Sequence, residues 1–296
     1  MSADHVVLIT GCSTGFGRLT AETLARNKYR VFAGMRSLRD RNASNARELE
    51  SLATRESLSL RPIELDVNDD VSVDRAIGEI IQDAGQIDVL VNNAGLSIRG
   101  LSEAVTVEQM QRVFETNVFG VQRMNRAVLP HMRKCGSGLL IHISSQAGRV
   151  VLPCFGVYGA SKFALEGLVE SYRYELAGEG IDCVSVQPGA YATAIVQNAD
   201  NAADQDRSAA YGPANQIPQT LLANLGKRRD PQEIADAILK LIQMPAGKRP
   251  LRTEVGSPGD FVARTNAFTD RVQEETVKFF GLSALTAFCP HADKDS

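Results

Sequence analysis

The sequence from Val6 to Gly17 reads VVLITGCSTGFG, so four apolar residues lead into a turn that contains three glycines. An apolar run without alternation is typical of a strand that is buried on both faces of a parallel sheet. Glycines at positions 11, 15 and 17 permit a tight turn, close approach of the backbone to a ligand and close packing of the next helix. Free N–H groups at the start of that helix attract phosphate. The stretch predicts a dinucleotide-binding strand–turn–helix unit, although a glycine-rich turn can also be only a turn.

The same alternation of short apolar runs and longer helical patterns continues along the chain. Strands are predicted at 6–9, 31–33, 63–66, 89–92, 139–143 and 183–186, and helices at 16–28, 44–56, 70–84, 107–133, 157–178, 231–244 and 258–280. This alternation predicts an α/β fold in which right-handed crossovers build a doubly wound, Rossmann-type parallel sheet. We expect a single domain over residues 1–296, with a helical substrate lid at 190–228 and a C-terminal helical extension at 245–296.

The composition excludes several functions. With 44% hydrophobic and 23% charged residues, the chain is typical of a soluble globular protein, and its net charge of −3 disfavours a nucleic-acid partner. No apolar run approaches the roughly 20 residues of a membrane span, and no leader pattern opens the chain. The five scattered cysteines form no C-x-x-C pair, which favours reduced thiols in a cytoplasmic protein over disulfides or zinc. No His/Cys/Asp cluster predicts a metal site.

Tyr158 and Lys162 lie four residues apart in a helical pattern, so their side chains are expected on one face of the helix. A tyrosine alone has a pKa of about 10, and a neighbouring cation lowers this pKa because it favours the phenolate. The pair therefore predicts a group that can move protons near neutral pH. Ser145 lies thirteen residues before Tyr158. Each of these residues alone is more often an ordinary structural side chain.

The end of the second predicted strand indicates the cofactor. Met35 and Arg36 stand where NAD-dependent enzymes usually place an acid for the adenosine ribose. A guanidinium group suits the 2′-phosphate of NADP, and Ser13 in the glycine turn could donate a further hydrogen bond. We therefore expect NADP as the cofactor. The alternatives are that Arg36 is a solvated surface charge, or that Ser13 or Arg39 sets the preference.

Further motifs follow in order along residues 5–193. They are Thr10-Gly11-x-x-x-Gly15-x-Gly17, Asn92-Asn93-Ala94-Gly95, Asn117, Ser145, Tyr158-x-x-x-Lys162 and Pro188-Gly189. Each motif is weak alone, but the ordered set is specific. The set resembles the short-chain dehydrogenase/reductase family in its single-domain branch. It is similar to 17β-hydroxysteroid and retinol dehydrogenases and to their bacterial relatives.

The resemblance implies a role for each matching residue. Tyr158 would be the general acid in reduction and the base in oxidation, Lys162 would lower its pKa and hold the nicotinamide ribose, and Ser145 would hold the substrate oxygen. Asn117 would support a water that relays protons to Lys162. The implied cofactor-binding residues are Gly11, Ser13, Gly15, Phe16, Gly17, Arg36, Asp66, Val67, Asn93, Gly95, Tyr158, Lys162, Pro188, Gly189 and Thr193.

We therefore expect an NADP(H)-dependent oxidoreductase that moves hydride between nicotinamide and a small-molecule carbonyl or secondary alcohol. An apolar or aromatic substrate is suggested by Tyr191, Ile195, Val196, Tyr211, Ile217 and Leu221 in the lid, and by Val150, Leu152, Cys154 and Phe155 before Tyr158. Two alternatives stay open: a cofactor-binding sensor or scaffold without turnover, and a reductase of 3-ketoacyl chains. The C-terminal stretch differs from the short tail of tetrameric relatives, which disfavours a tetramer and leaves a homodimer as the expected assembly.

Overall fold

A computed structural model describes residues 5–191, 199–224, 229–257 and 259–289. Its strands are β1 Val6–Thr10, β2 Arg30–Met35, β3 Leu60–Glu64, β4 Val89–Asn92, β5 Ile98–Arg99, β6 Gly138–Ile143, β7 Ile181–Pro188, β8 Asp200–Asn201 and β9 Arg252–Val255. Its helices are α1 Gly15–Arg26, α2 Ala43–Glu56, α3 Asp70–Ala84, α4 Val107–Phe114, α5 Gly120–Cys135, α6 Gly156–Ala177, α7 Gln205–Ala210, α8 Ile217–Asn224, α9 Gln232–Gln243 and α10 Phe261–Phe279. In the described ranges no helix is both long and apolar enough to cross a membrane.

The central sheet has the order β3-β2-β1-β4-β6-β7-β9, and every neighbouring pair of strands is parallel. The doubly wound α/β fold predicted from the sequence is confirmed. The strand order reverses between β1 and β4, and a ligand crevice is expected at the carboxyl ends of the strands at such a switch point. The short strands β5 and β8 form a separate parallel pair that the sequence pattern did not predict.

Each sheet face carries its own apolar core because successive side chains of a strand point to opposite faces. On one face Ile9 belongs to a buried cluster that includes Leu24 of α1, Leu49 of α2 and Ile238 of α9. On the other face the neighbouring Leu8 belongs to a second cluster, with members Ile80 of α3, Met124 of α5 and Leu165 of α6. Full burial of such a side chain contributes about 1.5–3 kcal/mol to folding. The helices therefore hold the strand ends, and the crevice above them, in fixed positions.

Two regions differ from the sequence prediction. Strand β9 was not predicted, because three of its four residues, Arg252, Thr253 and Glu254, are polar. It nevertheless pairs with β7 at the edge of the sheet, within the stretch expected to be a helical extension. In the expected lid, residues 199–224 contain β8, α7 and α8. Ile195 and Val196, which the sequence analysis placed in that lid, lie outside the described residues.

Candidate active site

A cavity of about 1040 Å³ opens where β1, β4, β6 and β7 end. The predicted site residues that line it are Gly11, Ser13, Gly15, Phe16, Arg36, Asp66, Val67, Asn93, Gly95, Ser145, Tyr158, Lys162, Pro188 and Gly189. Gly17 and Asn117 support residues of the lining without lining the cavity themselves. Thr193 lies outside the described residues. The chain thus brings motifs that are far apart in the sequence to one cavity.

The glycine turn needs its glycines. Gly11 and Gly15 adopt φ angles of +73° and +62°, which side chains with a β-carbon rarely adopt. A β-carbon on Gly17 would lie 2.5 Å from the carbonyl oxygen of Gly11, so α1 starts in direct contact with the turn. The side-chain amide of Asn93 donates to the carbonyl oxygens of Thr10 and Gly11, at 2.8 and 3.1 Å. The Asn93 amide therefore holds the glycine turn against the end of β4.

The start of α1 leaves its backbone N–H groups free for an anion. Its N-cap residue, Thr14, makes no side-chain capping hydrogen bond, and the first turn contains no acidic residue. Helix N-termini carry unpaired N–H groups and partial positive charge. Phe16 in this first turn packs edge-on against Tyr191, with ring centroids 5.5 Å apart. This contact joins the glycine turn to the segment that follows β7.

The loop after β2 presents Arg36 to the cavity. Met35 is buried beneath it, and the guanidinium of Arg36 makes no hydrogen bond or ion pair within the described ranges. The loop is held by Glu64, whose carboxylate accepts hydrogen bonds from the backbone N–H groups of Ser37 and Leu38, at 2.6 and 2.8 Å. Ser37 has a φ of +55°. Glu64 forms no ion pair with Arg36 in the described part of the chain, so the cation remains available to a ligand.

Asp66 and Val67 form the adjacent wall of the cavity. The Oδ1 atom of Asp66 accepts from the Asn68 N–H at 3.0 Å, and the Asp66 N–H donates to Ser72 Oγ at 3.0 Å. Val67 lies against α5, where a β-carbon on Gly120 would come within 2.9 Å of the Val67 side chain. Both residues are therefore held rigidly after β3.

Ser145 and Tyr158 meet in the cavity. Ser145 follows β6, and its Oγ accepts a hydrogen bond from the Ala147 N–H at 3.1 Å. Burial raises the pKa of Tyr158, and hydrogen bonding with Ser145 lowers it in part. The sequence analysis expected the pKa of Tyr158 to be lowered by the neighbouring cation, whereas burial has the larger effect in the structure. The phenol is accordingly the favoured form of Tyr158.

Lys162 lies beneath the Tyr158 ring. Its Nζ atom is 5.9 Å from the centroid of that ring and donates a hydrogen bond to the Ile143 carbonyl oxygen at 2.8 Å. Burial lowers the pKa of Lys162 to about 8, and the negative charge of Glu166 opposes this change. Tyr158 and Lys162 thus share one helix face as predicted, with the ammonium anchored to the end of β6.

Asn117 lies in a single π-helical turn, Glu115–Phe119, that joins α4 to α5. Such turns are frequent at functional sites. Its Oδ1 accepts from the Leu96 N–H at 2.8 Å, and its Nδ2 donates to the Leu96 carbonyl and to Ser161 Oγ, both at 2.9 Å. Ser161 in turn donates to the Tyr158 carbonyl oxygen at 2.7 Å. The side chain therefore ties the loop after β4 to α6, and its part in a proton relay stays a prediction.

Pro188 and Gly189 close the cavity at the end of β7. The Gly189 N–H donates to the Val255 carbonyl at 2.9 Å, so β9 holds this segment. A β-carbon on Gly189 would lie 2.3 Å from the Gly256 carbonyl oxygen, which explains the glycine.

A buried ion cluster beyond Lys162 escaped the sequence analysis. Arg252 of β9 contacts Glu166 and Glu170 of α6, with N–O distances of 3.3 and 2.7 Å, and it also pairs with Asp270 of α10. Glu166 and Arg252 are only 2% and 3% exposed. Glu166 follows Lys162 by four residues, so the two side chains share a helix face. This spacing is the sequence feature that could have indicated an acid near the lysine.

A parallel sheet of this order, with its crevice at the switch point, is typical of oxidoreductases that bind a dinucleotide there. The profile described as short chain dehydrogenase matches residues 5–204, and the chain belongs to this family. The resemblance inferred from the sequence is confirmed.

Curated relatives cover most of the chain. An uncharacterized oxidoreductase, YusZ, of Bacillus subtilis is 37% identical over 80% of this chain and 84% of its own. The 3-ketodihydrosphingosine reductase of Bacteroides thetaiotaomicron is 34% identical, over 85% and 88% of the two chains. Human retinol dehydrogenase 8 is 34% identical, over 86% and 82%.

Solved structures share the fold. A short-chain dehydrogenase from Streptomyces avermitilis superimposes with a TM-score of 0.74 at 32% identity, over 96% of this chain and 99% of the other. An actinorhodin polyketide ketoreductase with NADPH has a TM-score of 0.72 at 26% identity, over 86% and 97%. The similarity thus extends to a protein that holds a nicotinamide dinucleotide.

Proposed function

We propose that the protein is an NADP(H)-dependent oxidoreductase that interconverts a carbonyl and a secondary alcohol on an apolar small molecule. The observation that carries the proposal is the meeting of Ser145, Tyr158 and Lys162 in the cavity that begins at the glycine turn. A hydroxyl pair beside a buried ammonium can bind a substrate oxygen and exchange a proton with it. The nicotinamide cofactor, when bound, supplies the hydride.

Tyr158 and Ser145 act on the substrate oxygen in this proposal. Ser145 donates a hydrogen bond to that oxygen and orients it. In reduction the Tyr158 hydroxyl gives its proton to the same oxygen, and in oxidation the phenolate takes the proton back. Burial raises the pKa of Tyr158 and favours the phenol, the form that carries the proton needed for carbonyl reduction.

Lys162 holds positive charge next to this proton donor. With a pKa of about 8, its ammonium predominates at neutral pH. We assign it two tasks, which are to bind the nicotinamide ribose and to stabilise negative charge on Tyr158 after proton transfer. We also assign to Asn117 the support of a water that relays protons to Lys162, and its three hydrogen bonds hold its side chain between Leu96 and α6.

The described residues fit an NADP molecule. The positive-φ glycines and the uncapped start of α1 provide a cradle in which backbone N–H groups can contact phosphate. Arg36 offers a guanidinium that has no ion-pair partner among the described residues, and Ser13 also lines the cavity. No carboxylate stands at the Met35 position to bind ribose hydroxyls or repel a 2′-phosphate. We therefore assign the 2′-phosphate to Arg36, with Asp66, Val67, Asn93 and Gly95 beside the adenosine and Pro188 and Gly189 beside the nicotinamide.

The cavity offers a group of apolar side chains that could contact a substrate. They are Leu96, Val150, Leu152, Phe155, Leu221 and Phe261, and polar residues such as Ser97, Arg112, Gln146 and Asp200 also line the cavity. The relatives named for retinol and for 3-ketodihydrosphingosine act, by those names, on molecules with long hydrocarbon parts. Both observations support an apolar substrate.

A 3-keto compound is the second candidate, because the relative named for reducing 3-ketodihydrosphingosine covers most of this chain. This candidate differs from the first only in specifying the position of the carbonyl group in the substrate. Carrier-bound 3-ketoacyl chains should therefore be included in the same substrate screen.

The test is a spectrophotometric screen of ketones, retinoids, steroids and 3-keto compounds with NADPH and with NADH. We expect turnover of an apolar carbonyl compound with NADPH, and its loss in Tyr158→Phe. Tight NADPH binding without oxidation by any compound would favour the sensor or scaffold. Equal rates with NADPH and NADH would contradict only the assignment of NADP as the cofactor, and the proposed reaction would still stand.

A further inference from the structure

Arg229 is a cation of the active-site cavity to which the proposed function assigns no role. The cationic residues that line this cavity in the described ranges are Arg36, Arg41, Arg112, Lys162 and Arg229. Two of them belong to the loop after β2, one belongs to α4 and one to the catalytic group, whereas Arg229 lies shortly before α9. Its contacts show which part of the cavity it faces.

The backbone of Arg229 is joined to the segment that follows β7. Arg229 and Tyr191 form a parallel β-bridge, and Tyr191 follows Gly189 by two residues. The Tyr191 ring packs edge-on against Phe16, in the first turn of α1, with ring centroids 5.5 Å apart. A β-carbon on Gly256 would come within 2.2 Å of the Tyr191 hydroxyl oxygen. Tyr191 is therefore fixed by its neighbours, and the bridge holds Arg229 close to the start of α1.

Glu233 orients the guanidinium group of Arg229. The Glu233 Oε2 atom accepts hydrogen bonds from the Tyr191 hydroxyl at 2.8 Å and from Arg229 Nη1 at 3.3 Å. Burial raises the pKa of Tyr191 and the Glu233 carboxylate raises it further, so the phenol keeps the proton that it donates. Among the described residues only Nη1 of this guanidinium has a hydrogen-bond partner, and its other N–H groups are available to a ligand.

A dinucleotide in this cavity requires a cation near the start of α1. The diphosphate carries about two negative charges, whereas a helix N-terminus supplies roughly half a positive charge. The diphosphate joins the adenosine half of the cofactor, assigned above to Arg36, to the nicotinamide half, assigned to Lys162. It therefore belongs above the glycine turn, on the side where Arg229 is held.

We propose that Arg229 binds the diphosphate of the nicotinamide cofactor. The assignment rests on the proposed function, because it presupposes a dinucleotide in this cavity. Arginine suits this role because its planar group donates charge-assisted hydrogen bonds to phosphate oxygens in a fixed geometry. The bridge between Tyr191 and Arg229 also closes the base of the lid expected at 190–228. A cofactor bound to Arg229 thus contacts the base of that lid.

Titration with NADPH and NADH tests the assignment, because the two cofactors share the diphosphate and differ in the 2′-phosphate. Arg229→Ala should weaken the binding of both cofactors about ten- to a hundredfold, since a charge-assisted hydrogen bond is lost. Arg36→Ala should weaken the binding of NADPH alone. Arg207→Ala is the matched control, because this exposed arginine pairs with Asp204 and does not line the cavity. Its affinities should match those of the wild type.

Two results of this titration would overturn the inference. One is an unchanged affinity of Arg229→Ala for both cofactors. The other is a loss confined to NADPH, which would assign the 2′-phosphate to Arg229. A wild type that binds neither cofactor would contradict the proposed function as well, so the failure of this inference alone is distinguishable.

Chemical modification tests the same contact in the wild-type protein. Phenylglyoxal reacts with exposed guanidinium groups, and peptide mass spectrometry measures the reaction at each arginine. Saturating NADPH or NADH should slow the modification of Arg229 and leave that of Arg207 unchanged. Saturating 2′-AMP, which has the 2′-phosphate but no diphosphate, should protect Arg36 and leave Arg229 reactive. Equal modification of Arg229 with and without saturating NADPH would overturn the proposal.

Discussion

The two sides of the sheet build their parts of the site differently. On the β1 side the cavity is largely backbone, in which glycines with positive φ and the start of α1 are held by the Asn93 amide. On the β7 and β9 side the fold depends on buried charges, such as Arg252 among Glu166, Glu170 and Asp270. Asp182 is buried there as well, between Arg173 and Arg249 at 2.5 Å each. The glycine turn thus takes its shape from residues of one short stretch, with a distant support from Asn93, whereas the support of α6 depends on ion pairs among β9, α6 and α10.

The sharpest test of the catalytic group itself is Tyr158→Phe. The turnover number should fall about 10²–10⁴-fold, because the proton donor to the substrate oxygen is lost. Cofactor affinity should stay near that of the wild type, since the glycine turn and Arg36 are untouched. Initial rates and fluorescence titration with NADPH measure the two effects. Near-normal turnover in this variant would show that Tyr158 is not the proton donor to the substrate oxygen.

Arg252→Ala tests how much the buried ion pairs near β7 and β9 stabilise the fold. We expect the free energy of unfolding to fall by about 3–5 kcal/mol, because buried carboxylates lose their counter-charge. Arg112→Ala is the control, since its ion pair with Asp200 is exposed and should contribute about 0–1 kcal/mol. Chemical denaturation gives both values. Equal losses in the two variants would show that the buried cluster around Arg252 stabilises the fold no more than an exposed ion pair does.

On the backbone side, the exposed cation at the end of β2 should set the cofactor preference. Arg36→Ala should weaken NADPH binding roughly ten- to a hundredfold and leave NADH binding unchanged, because a charge-assisted hydrogen bond to the 2′-phosphate is lost. Arg39→Ala, in the same loop, is the matched control. Titration of the wild type and both variants with NADPH and with NADH measures these affinities. A larger loss of NADPH affinity in Arg39→Ala would assign the 2′-phosphate contact to Arg39.

The smallest expected effect links the ionic cluster to Lys162. The Glu166 carboxylate raises the pKa of Lys162, which burial holds at about 8. In Glu166→Gln this pKa should fall further, so the loss of activity at high pH should begin at a lower pH than in the wild type. Glu170→Gln also removes a partner of Arg252 but leaves Glu166 in place, and its profile should match the wild type. Coinciding pH–rate profiles for all three proteins would mean that Glu166 has only a structural role.

The sequence was informative wherever one short stretch specifies its own geometry. The apolar run into the glycine turn predicted β1 and α1, and the four-residue spacing predicted that Tyr158 and Lys162 share a helix face. Strand β9 escaped prediction because polar residues such as Arg252 obtain their partners only from α6 and α10.

Properties that depend on tertiary structure also could not be predicted from the sequence. The direction of the Tyr158 pKa was misjudged because neighbouring charge can be inferred from spacing, whereas burial is a product of the whole fold. The π-helical turn at Asn117 was not predicted, because the sequence analysis assigned residues 107–133 to one helix.

The anchoring of the β2 loop by Glu64 has an evolutionary consequence. The backbone of Ser37 and Leu38 is fixed by a carboxylate from the neighbouring strand, independently of the side chain at position 36. If Arg36 binds the 2′-phosphate as proposed, substitutions at position 36 should change the affinity for NADPH while the loop keeps its shape. The position could then vary among descendants of this protein, or in a designed variant, without any rebuilding of the scaffold around it.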